Sequence, residues 1–493
     1  MKTFFSYLLI EEGQLYYNTT SFQWAFFSST RLAIRLDTPD RERMIRPALE
    51  RRDVFLRSRL QLPIQMIEDM ENQDWSPAVP TVSMSPSNRG LSPDESQPRE
   101  STSTAKRPTS TIKCIRTHHL RDHLEVPFGF SQWYYDTRNT LWVEIVAEDG
   151  TSGWGECYGP SEVYQTAIDR FYAPRLLNQN ALATDALWHL MWRSSLDFAR
   201  GGVMMGAMSG IDMALWDLRG KTLGLSVSEL MGGRYVDEVP CYATGMYFKE
   251  MPEADLIQSI VEEASMYQQL GFQALKIKVG KNLAFDARQI ESLRDALPNM
   301  TMMADSNHAF DLPEAIQIGR VLEENDFKWF EEPLSPEFEG QFRQLQDKLD
   351  MPIATGECEQ TRYGFQRLLS TGGVQIAQPD LAYCGGPSEA LKIRNLASSM
   401  GINVVPHCWG TMLNLASATH FLASGYREPG RKENAPPLLE YDRTPNALRD
   451  ELFDVPVAVE NGIARVPTGP GLGVKVNEDK MQSFVVQQTE LKA

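Results

Sequence analysis

The sequence predicts an α/β protein: a (β/α)8 barrel of the TIM type with an α+β capping domain, preceded by a partly disordered N-terminal extension. Three observations predict this. From residue 236 onward, eight short apolar strands alternate with helical stretches, which is typical of a parallel sheet closed into a barrel. Residues 111–235 show strands first and helices after. Before them, 19 of the 35 residues in 76–110 are Ser, Pro or Thr.

The N-terminal extension has two parts. Residues 1–75 are mixed in character, and "RERMIRPALERRDVFLRSRL" has the pattern of an amphipathic helix. We assign no function to this part. Residues 76–110 cannot bury enough apolar surface to fold, so we expect a disordered linker there.

The remainder is predicted to form two domains. In 111–235, the expected capping domain, "TLWVEIVAEDGTSGWGECYGP" indicates two strands around an Asp-Gly turn, and "MGAMSGIDMALWDLRGKTLG" has apolar residues at helical spacing. Residues 236–452 are the expected barrel, whose last helix is weak because "NALRDELF" is short. Residues 453–485 again have a strand pattern and are expected to complete the capping domain.

Charge, apolar runs and cysteines limit the partners and the compartment. The net charge of −17 disfavours a nucleic-acid or anionic-membrane partner. No run approaches the roughly 18 apolar residues that a membrane span needs. The six cysteines are scattered without CxxC spacing, which indicates free thiols rather than disulfides or a zinc site. We therefore expect a cytoplasmic protein with a small-molecule partner, and a homo-oligomer.

A polar residue ends each of seven predicted barrel strands. The gaps between them are 27, 26, 26, 23, 27 and 33 residues, each the length of one βα unit. In a barrel the carboxyl ends of all strands face one mouth, where active sites of this fold lie. In "ALKIKVG", Leu275 and Ile277 are expected to pack outward while Lys276 faces the mouth. The seven residues are Lys278, Asp305, Glu331, Glu357, Asp380, His407 and Glu440.

Three of these residues are acids on consecutive strands, and they predict a metal site. Crowded carboxylates repel one another unless a cation neutralises them. An all-oxygen ligand set suits a hard ion, so we expect one Mg²⁺ per subunit, with Mn²⁺ as a substitute, bound by Asp305, Glu331 and Glu357. The alternative is that each acid caps the helix that follows it. Three acids in register favour the metal.

Bases are expected on both sides of the metal. Lys278 on the second strand and His407 on the seventh approach it from opposite sides, and Asp380 is placed to orient the His407 ring. Repulsion between Lys276 and Lys278 is expected to lower the pKa of one lysine toward that of a general base. Glu440, if protonated, would donate a hydrogen bond to a substrate carboxylate.

Two histidines also admit a structural interpretation. The alternative for His407 is a buried, hydrogen-bonded histidine, although a carboxylate one strand away favours a functional role. For His308, in "DSNHAF", the sequence leaves open whether it is structural or a second polar contact near the mouth.

A divalent ion flanked by two bases suits proton abstraction beside a carboxylate. A substrate carboxylate coordinates the ion, a base removes the proton on the adjacent carbon, and the ion stabilises the resulting enediolate. The set "KIK…ADSN…FEEP…TGE…QPD…VPH…LLEYDR" resembles the mandelate racemase and muconate lactonizing subgroup of the enolase superfamily, over about residues 111–485. A Lys or His base with Mg²⁺ and an ene-diolate is the known pattern of that superfamily.

The resemblance implies a role for each strand-end residue. It implies that Asp305, Glu331 and Glu357 are the metal ligands, Lys278 the strand-two base, Lys276 the lysine that tunes it, His407 with Asp380 a His-Asp dyad, and Glu440 the acid that hydrogen-bonds the substrate carboxylate. "FGFSQWYYDTR" and "GECYGP" fall where such enzymes carry loops that close over substrate.

Within the subgroup, "CYATGMYFKE", "QPDLAYCGGPSE" and "LEYDRTPNALRDEL" most resemble the D-galactarolactone cycloisomerases, which are similar in mechanism to the acid-sugar dehydratases. The chain departs from them at Cys358 and Glu359 in "CEQTRYG", at Tyr383, and in its first 110 residues. The resemblance implies α-proton abstraction from a sugar acid or its lactone, followed by β-elimination.

The sequence leaves the outcome of that reaction open. Departure of the lactone's ring carboxylate would make the enzyme a cycloisomerase. Departure of a β-hydroxyl would make it a dehydratase acting on aldonates or aldarates. Proton return to the same carbon would make it a racemase or epimerase. A non-enzyme alternative is a silent barrel scaffold with an N-terminal interaction module.

Overall fold

The structure, a computed structural model, describes residues 110–425 and 438–493, and before them only the backbone of three short strands. These are β1 (Ser6–Glu11), β2 (Gln14–Asn18) and β3 (Ile34–Leu36), an antiparallel sheet in the order β2-β1-β3. The predicted amphipathic helix and linker lie outside the described residues, apart from Ser110, which is buried.

The capping domain contains a four-stranded antiparallel sheet in the order β19-β4-β5-β6. Its strands are β4 (Ile112–Gly129), β5 (Tyr134–Ala147), β6 (Ser152–Cys157) and β19 (Val485–Lys492). Helices α1 (Ser161–Ala167), α2 (Ala173–Leu176), α3 (Thr184–Ser195) and α4 (Val203–Leu223) follow β6. Helix α4 packs so closely on β6 that Gly155 has no room for a side chain: a Cβ atom there would lie 2.1 Å from the carbonyl oxygen of Gly210. Strands β4 to β6 precede the helices in the chain, as the sequence predicts, and β19 joins the sheet from the C-terminal end.

The eight predicted barrel strands are present and parallel. They are β7 (Glu238–Thr244), β8 (Ala274–Lys278), β9 (Thr301–Asp305), β10 (Phe330–Glu331), β11 (Ile353–Thr355), β12 (Ile376–Ala377), β13 (Asn403–Val404) and β14 (Leu439–Asp442). They lie side by side in chain order from β7 to β13, and β14 returns to pair with β7. This order makes neighbours of strands consecutive in the chain, so their carboxyl ends share one mouth.

Helices alternate with these strands. Following α5 (Val227–Leu230), they are α6 (Glu253–Gln269), α7 (Leu283–Ala296), α8 (Leu312–Glu324), α9 (Glu339–Gln346), α10 (Thr361–Ser370), α11 (Pro387–Ser399), α12 (Met412–Ala423) and α13 (Ala447–Asp450). Helix α13 has only four residues, in line with the weak helical pattern there. Across the described residues, no helix combines the length and apolar character that crossing a bilayer requires.

Side chains of the barrel strands alternate between two apolar clusters. Leu275 and Ile277 are fully buried in the larger one, together with Leu256 of α6 and Phe285 of α7, which confirms that they pack outward against helices. The smaller cluster fills the barrel interior with one residue from each of the eight strand regions: Tyr242, Ala274, Met303, Trp329, Ala354, Ile376, Val405 and Leu438. Lys276 and Lys278 follow Ala274 at period two, so they continue the interior face toward the mouth.

The C-terminal segment, residues 453–485, contacts the capping domain, but only its last residue joins the capping sheet. The strand that completes the sheet is β19, which begins at Val485 after α14 (Glu478–Met481). Earlier in the segment, Phe453 packs against Trp142 and the Leu472 amide donates to Asp217 Oδ1 at 2.8 Å.

The other strands of this segment form two pairs. Strand β15 (Phe453–Val455) pairs antiparallel with β18 (Lys475–Val476). Strands β16 (Val459–Glu460) and β17 (Ile463–Arg465) form a hairpin, and β17 pairs antiparallel with the first half of β7. The reason is that β14 pairs only with the second half of β7, which leaves the first half available to the hairpin.

Candidate active site

Three carboxylates lie at the ends of consecutive strands, as the sequence predicts. Asp305 ends β9, Glu331 ends β10 beside it in register, and Glu357 follows β11 by two residues. All three are buried, and one oxygen from each lies within 4.8 Å of the others. They do not cap the next helices: the side chain that caps α8, for example, is Asp311. A buried cluster of oxygen donors with these distances fits a hard divalent cation such as Mg²⁺.

Two buried lysines contact these carboxylates. Lys278 Nζ donates to Asp305 Oδ2 at 2.5 Å and to Asn307 Oδ1 at 2.8 Å. Lys276 Nζ donates to Glu331 Oε1 and lies 2.7 Å from Glu440 Oε1. Both lysines therefore contact carboxylates rather than solvent: Lys276 lies between two acids, and Lys278 lies beside one.

The expected lowering of a lysine pKa is wrong for this arrangement. Burial and the Lys276 charge oppose protonation of Lys278, but Asp305, Tyr247 and Glu357 together outweigh them and hold the pKa of Lys278 above its ordinary value. Glu331 and Glu440 likewise outweigh burial and raise the pKa of Lys276. In return, burial disfavours the Asp305 carboxylate, but the two lysines hold its pKa below the usual range. Contact with carboxylates at hydrogen-bonding distance dominates over repulsion between the lysines.

His407 lies on the other flank of the carboxylates. Its Nε2 is 3.5 Å from Glu357 Oε2, and its Nδ1 is hydrogen-bonded to Asp380 Oδ2 at 2.6 Å. Burial opposes protonation, but Glu357 and the Asp380 hydrogen bond raise the pKa of His407 to about 10. Asp380 is itself fixed, because Oδ1 accepts from the Ala382 amide at 2.7 Å and from Asn414 Nδ2 at 3.2 Å.

Glu440 does not fit the expected role of a protonated donor. Its Oε1 accepts from Thr244 Oγ1 at 2.6 Å and contacts Lys276, and its Oε2 accepts from the Cys408 amide at 2.9 Å. Burial favours the neutral acid, but Lys276 and then His407 hold the pKa of Glu440 below its usual value. It therefore acts as an acceptor that orients Lys276.

His308 does not contact the carboxylate trio directly in this arrangement. Its Nε2 lies 3.2 Å from Glu332 Oε2 and 3.6 Å from Cys358 Sγ. Tyr383, where the sequence departs from the cycloisomerase pattern, packs edge-on against Tyr158 with ring centroids 6.3 Å apart.

The capping domain supplies contacts that sequence reasoning missed. Tyr158 packs against His407 with ring centroids 5.3 Å apart, and Phe130 lies 6.0 Å from Lys278 Nζ. Ser131 Oγ donates to the Ser306 carbonyl at 2.7 Å, which joins the loop between β4 and β5 to the end of β9. The motifs "GECYGP" and "FGFSQWYYDTR" indicate this region, but nothing in their spacing identifies the partners.

Glu156 fixes the capping domain to the barrel. This buried residue of β6 accepts hydrogen bonds from the Thr140 hydroxyl at 2.8 Å, the Thr411 amide at 3.0 Å and the Asn414 amide at 3.2 Å. Thr411 and Asn414 belong to the first turn of α12, where a carboxylate is stabilised by unpaired amides. Glu156 of the capping domain thus accepts hydrogen bonds from the amide groups at the N-terminus of a barrel helix.

Comparison with known proteins gives consistent results over most of the chain. Residues 113–232 match the "Mandelate racemase / muconate lactonizing enzyme, N-terminal domain", and 259–480 match "Enolase C-terminal domain-like". D-galactarolactone cycloisomerase of Agrobacterium fabrum is 38% identical over 374 residues, 76% of this chain and 98% of that protein. Arabinonate dehydratase of Saccharolobus solfataricus is 30% identical, over 76% of this chain and 99% of its own length.

Comparison with solved structures gives the same result as comparison of sequences. The 3,6-anhydro-D-galactonate cycloisomerase from Zobellia galactanivorans superimposes with a TM-score of 0.70 at 41% identity, covering 77% of this chain and all of the other. A racemase from Streptomyces coelicolor A3(2) with bound magnesium superimposes with a TM-score of 0.67 at 27% identity, over 76% of this chain and all of its own. The chain therefore belongs to the mandelate racemase and muconate lactonizing enzyme group of the enolase superfamily.

Proposed function

We propose that the chain is a Mg²⁺-dependent cycloisomerase that removes the proton beside the free carboxylate of a sugar-acid lactone and opens the ring by β-elimination. The observation that carries this proposal is the position of Lys278 and His407 on opposite flanks of the carboxylate trio, one beside Asp305 and the other beside Glu357. Similarity to D-galactarolactone cycloisomerase over nearly its whole length supports the substrate class.

The roles follow from the contacts. Asp305, Glu331 and Glu357 would hold Mg²⁺, which supplies a Lewis acid for the substrate carboxylate and positive charge beside the acidic carbon. Asp305 and Glu357 raise the pKa of Lys278 and of His407 respectively, and Mg²⁺ held by these carboxylates would offset that effect. One of the two residues can then take the proton from one face of that carbon, and the other can act on the opposite face. The other polar residues are positioning residues: Asp380 fixes the His407 ring, Lys276 stands between Glu331 and Glu440, and Glu440 holds Lys276.

The reaction is balanced without a co-reactant. One base takes the proton on the carbon next to the free carboxylate, and the electron pair of that bond forms a double bond toward the β-carbon. The bond between the β-carbon and the ring oxygen breaks, and the lactone carboxylate leaves with the electron pair of that C–O bond. The abstracted proton passes from the base to solvent. Tautomerisation of the enol gives an open-chain keto acid isomeric with the substrate. A carboxylate needs little help from an acid to leave, so the elimination requires mainly a positioned base.

A dehydratase is the second candidate, favoured by the similarity to arabinonate dehydratase. The same proton abstraction would then expel a β-hydroxyl as water. Hydroxide is a poor leaving group, so the second proton-transfer residue would have to protonate it. Racemisation or epimerisation would use the same two residues to return a proton to the opposite face.

We also propose one Mg²⁺ per subunit, with Mn²⁺ as a substitute, and a cytoplasmic homo-oligomer. All six cysteines are free thiols and five of them are buried, which suits a reducing compartment.

Proton NMR in deuterated solvent tests the proposal with a panel of aldarates, aldonates and their lactones. We expect one lactone to be consumed only with Mg²⁺ present, giving a product of unchanged mass apart from deuterium. Loss of water would identify the dehydratase, and an inverted α-centre the racemase. If the metal-loaded protein incorporated no deuterium into any member of the panel, the proposal would fail in favour of a silent scaffold. The chelator-treated protein is the control.

A further inference from the structure

A second cluster of potential metal ligands lies next to the carboxylate trio. It consists of His308, Glu332 and Cys358, whose ligand atoms all lie within 4.8 Å of one another. Glu332 is adjacent in sequence to Glu331, and Cys358 to Glu357. The cluster is therefore built on the ends of the same three strands as the trio, but from a histidine nitrogen, a carboxylate oxygen and a thiol sulfur.

The distances match a tetrahedral zinc site. His308 Nε2 lies 3.2 Å from Glu332 Oε2 and 3.6 Å from Cys358 Sγ. Zinc bond lengths place the N and O ligands of a tetrahedron about 3.4 Å apart, and the N and S ligands about 3.6 Å apart. Two of the three ligand pairs thus already have about the separation that bound zinc would give them, and the third pair lies within 4.8 Å.

Apart from the His308 contact at 3.2 Å, Glu332 has no polar partner for its carboxylate among the described residues. The residue is fully buried, yet neither of its carboxylate oxygens receives a hydrogen bond within residues 110–425 and 438–493. Its backbone is held, since its carbonyl accepts from the His308 amide at 2.9 Å and from Ser306 Oγ at 2.8 Å. A buried carboxylate with both oxygens unsatisfied is costly unless a cation or a proton compensates it.

Cys358 gives an ion access to the cluster. The residue is exposed, whereas His308 is half-buried and Glu332 is fully buried. The cluster therefore extends from the surface to the interior. A cation bound there would take the place of the thiol proton.

We propose that His308, Glu332 and Cys358 form a second metal site, for a soft divalent cation such as Zn²⁺, beside the Mg²⁺ carboxylates. The mixed N, O and S donor set selects zinc over magnesium, which prefers oxygen alone. Three protein ligands leave the fourth position to water at the exposed side of Cys358. The site is independent of the substrate assigned above.

Isothermal titration of the full chain with Zn²⁺, in saturating Mg²⁺ to keep the trio occupied, tests the proposal. We expect one Zn²⁺ per chain, and a Kd at least ~10-fold weaker in Cys358→Ser and in His308→Gln. Titration with Co²⁺ should give a thiolate charge-transfer absorption in the near ultraviolet that is absent from Cys358→Ser. Matched controls are Cys114→Ser in the capping sheet and His189→Gln on α3, which should bind Zn²⁺ as the unaltered chain does.

Two outcomes would overturn the proposal. One is a Zn²⁺ affinity that falls as Mg²⁺ rises and is the same in Cys358→Ser, because zinc would then occupy the carboxylate trio. The other is a Co²⁺ complex without thiolate absorption in the unaltered chain. Circular dichroism of each variant checks that it is folded, and Glu332→Gln provides a further ligand variant if one of the others is unstable.

Discussion

Replacing Asp380 by Asn tests the histidine side of the site. Asp380 is fully buried, and its Oδ2 holds His407 Nδ1 at 2.6 Å. An asparagine that keeps its oxygen toward the Ala382 amide and Asn414 would turn its NH₂ group toward the ring, removing the charge and favouring the wrong tautomer. A hydrogen bond to a charged group contributes about 1.5–3 kcal/mol. The pKa of His407, about 10 in the structure, should therefore fall by about 1–2 units, and turnover by about 10- to 150-fold.

The assay is the pH profile of kcat/KM together with an NMR titration of the His407 ring. Because folding raises the pKa of His407, its contribution to stability is complete below pH 6.5 and is lost as the pH rises through about 10. Asp380→Asn should therefore lower the unfolding free energy at pH 7 and have less effect above pH 10. Asp347→Asn, at an exposed helix end, is the matched control. Unchanged turnover with an unchanged His407 titration would refute the reasoning.

Four further predictions concern the metal, the bases and the extension. Glu331→Gln should weaken Mg²⁺ binding at least ~10-fold in calorimetry, whereas the exposed Glu337→Gln should not; equal affinities would rule out Glu331 as a ligand. Lys278→Ala and His407→Ala should each reduce turnover by ~100-fold or more, but only loss of the abstracting base should abolish α-proton exchange; near-normal turnover in both would end the proposed mechanism. Removal of residues 1–108 should leave Mg²⁺-dependent activity, because all site residues lie beyond them; an insoluble or inactive product would show that the extension is required. Burial raises the pKa of Glu331 from 4.5 to about 7, so the metal-free protein should lose stability as pH rises across that interval; thermal unfolding at acidic and alkaline pH should show this loss, and Mg²⁺ should remove it.

The positions of the site residues could be predicted because two regular patterns determine them. Alternation in "ALKIKVG" separates Leu275 from Lys276, and the repeat of the βα unit brings Asp305 and Glu331 to one mouth. These patterns are local or periodic, so they can be recognised in the sequence without knowledge of any tertiary contact. The eight strands and the carboxylate cluster followed from them.

Charge states and contacts between domains could not be predicted in this way. The pKa of Lys276 depends on Glu331 and Glu440, which are 55 and 164 residues away in the chain. Repulsion from the neighbouring lysine was visible in the sequence, but the approach of those acids was not. The partners of Glu156 and Tyr158 lie more than 240 residues further on, at Thr411 and His407, and no periodicity connects them.

The lysines among the carboxylates affect whether the protein needs its metal ion in order to fold. Lys276 and Lys278 place two positive charges among the acids of the mouth. The chain therefore carries built-in counter-ions, and folding does not have to wait for the metal as it does in a zinc finger. We expect newly made protein to fold first and to acquire its ion afterwards, so that the supply of magnesium governs how many molecules are active rather than how many are folded.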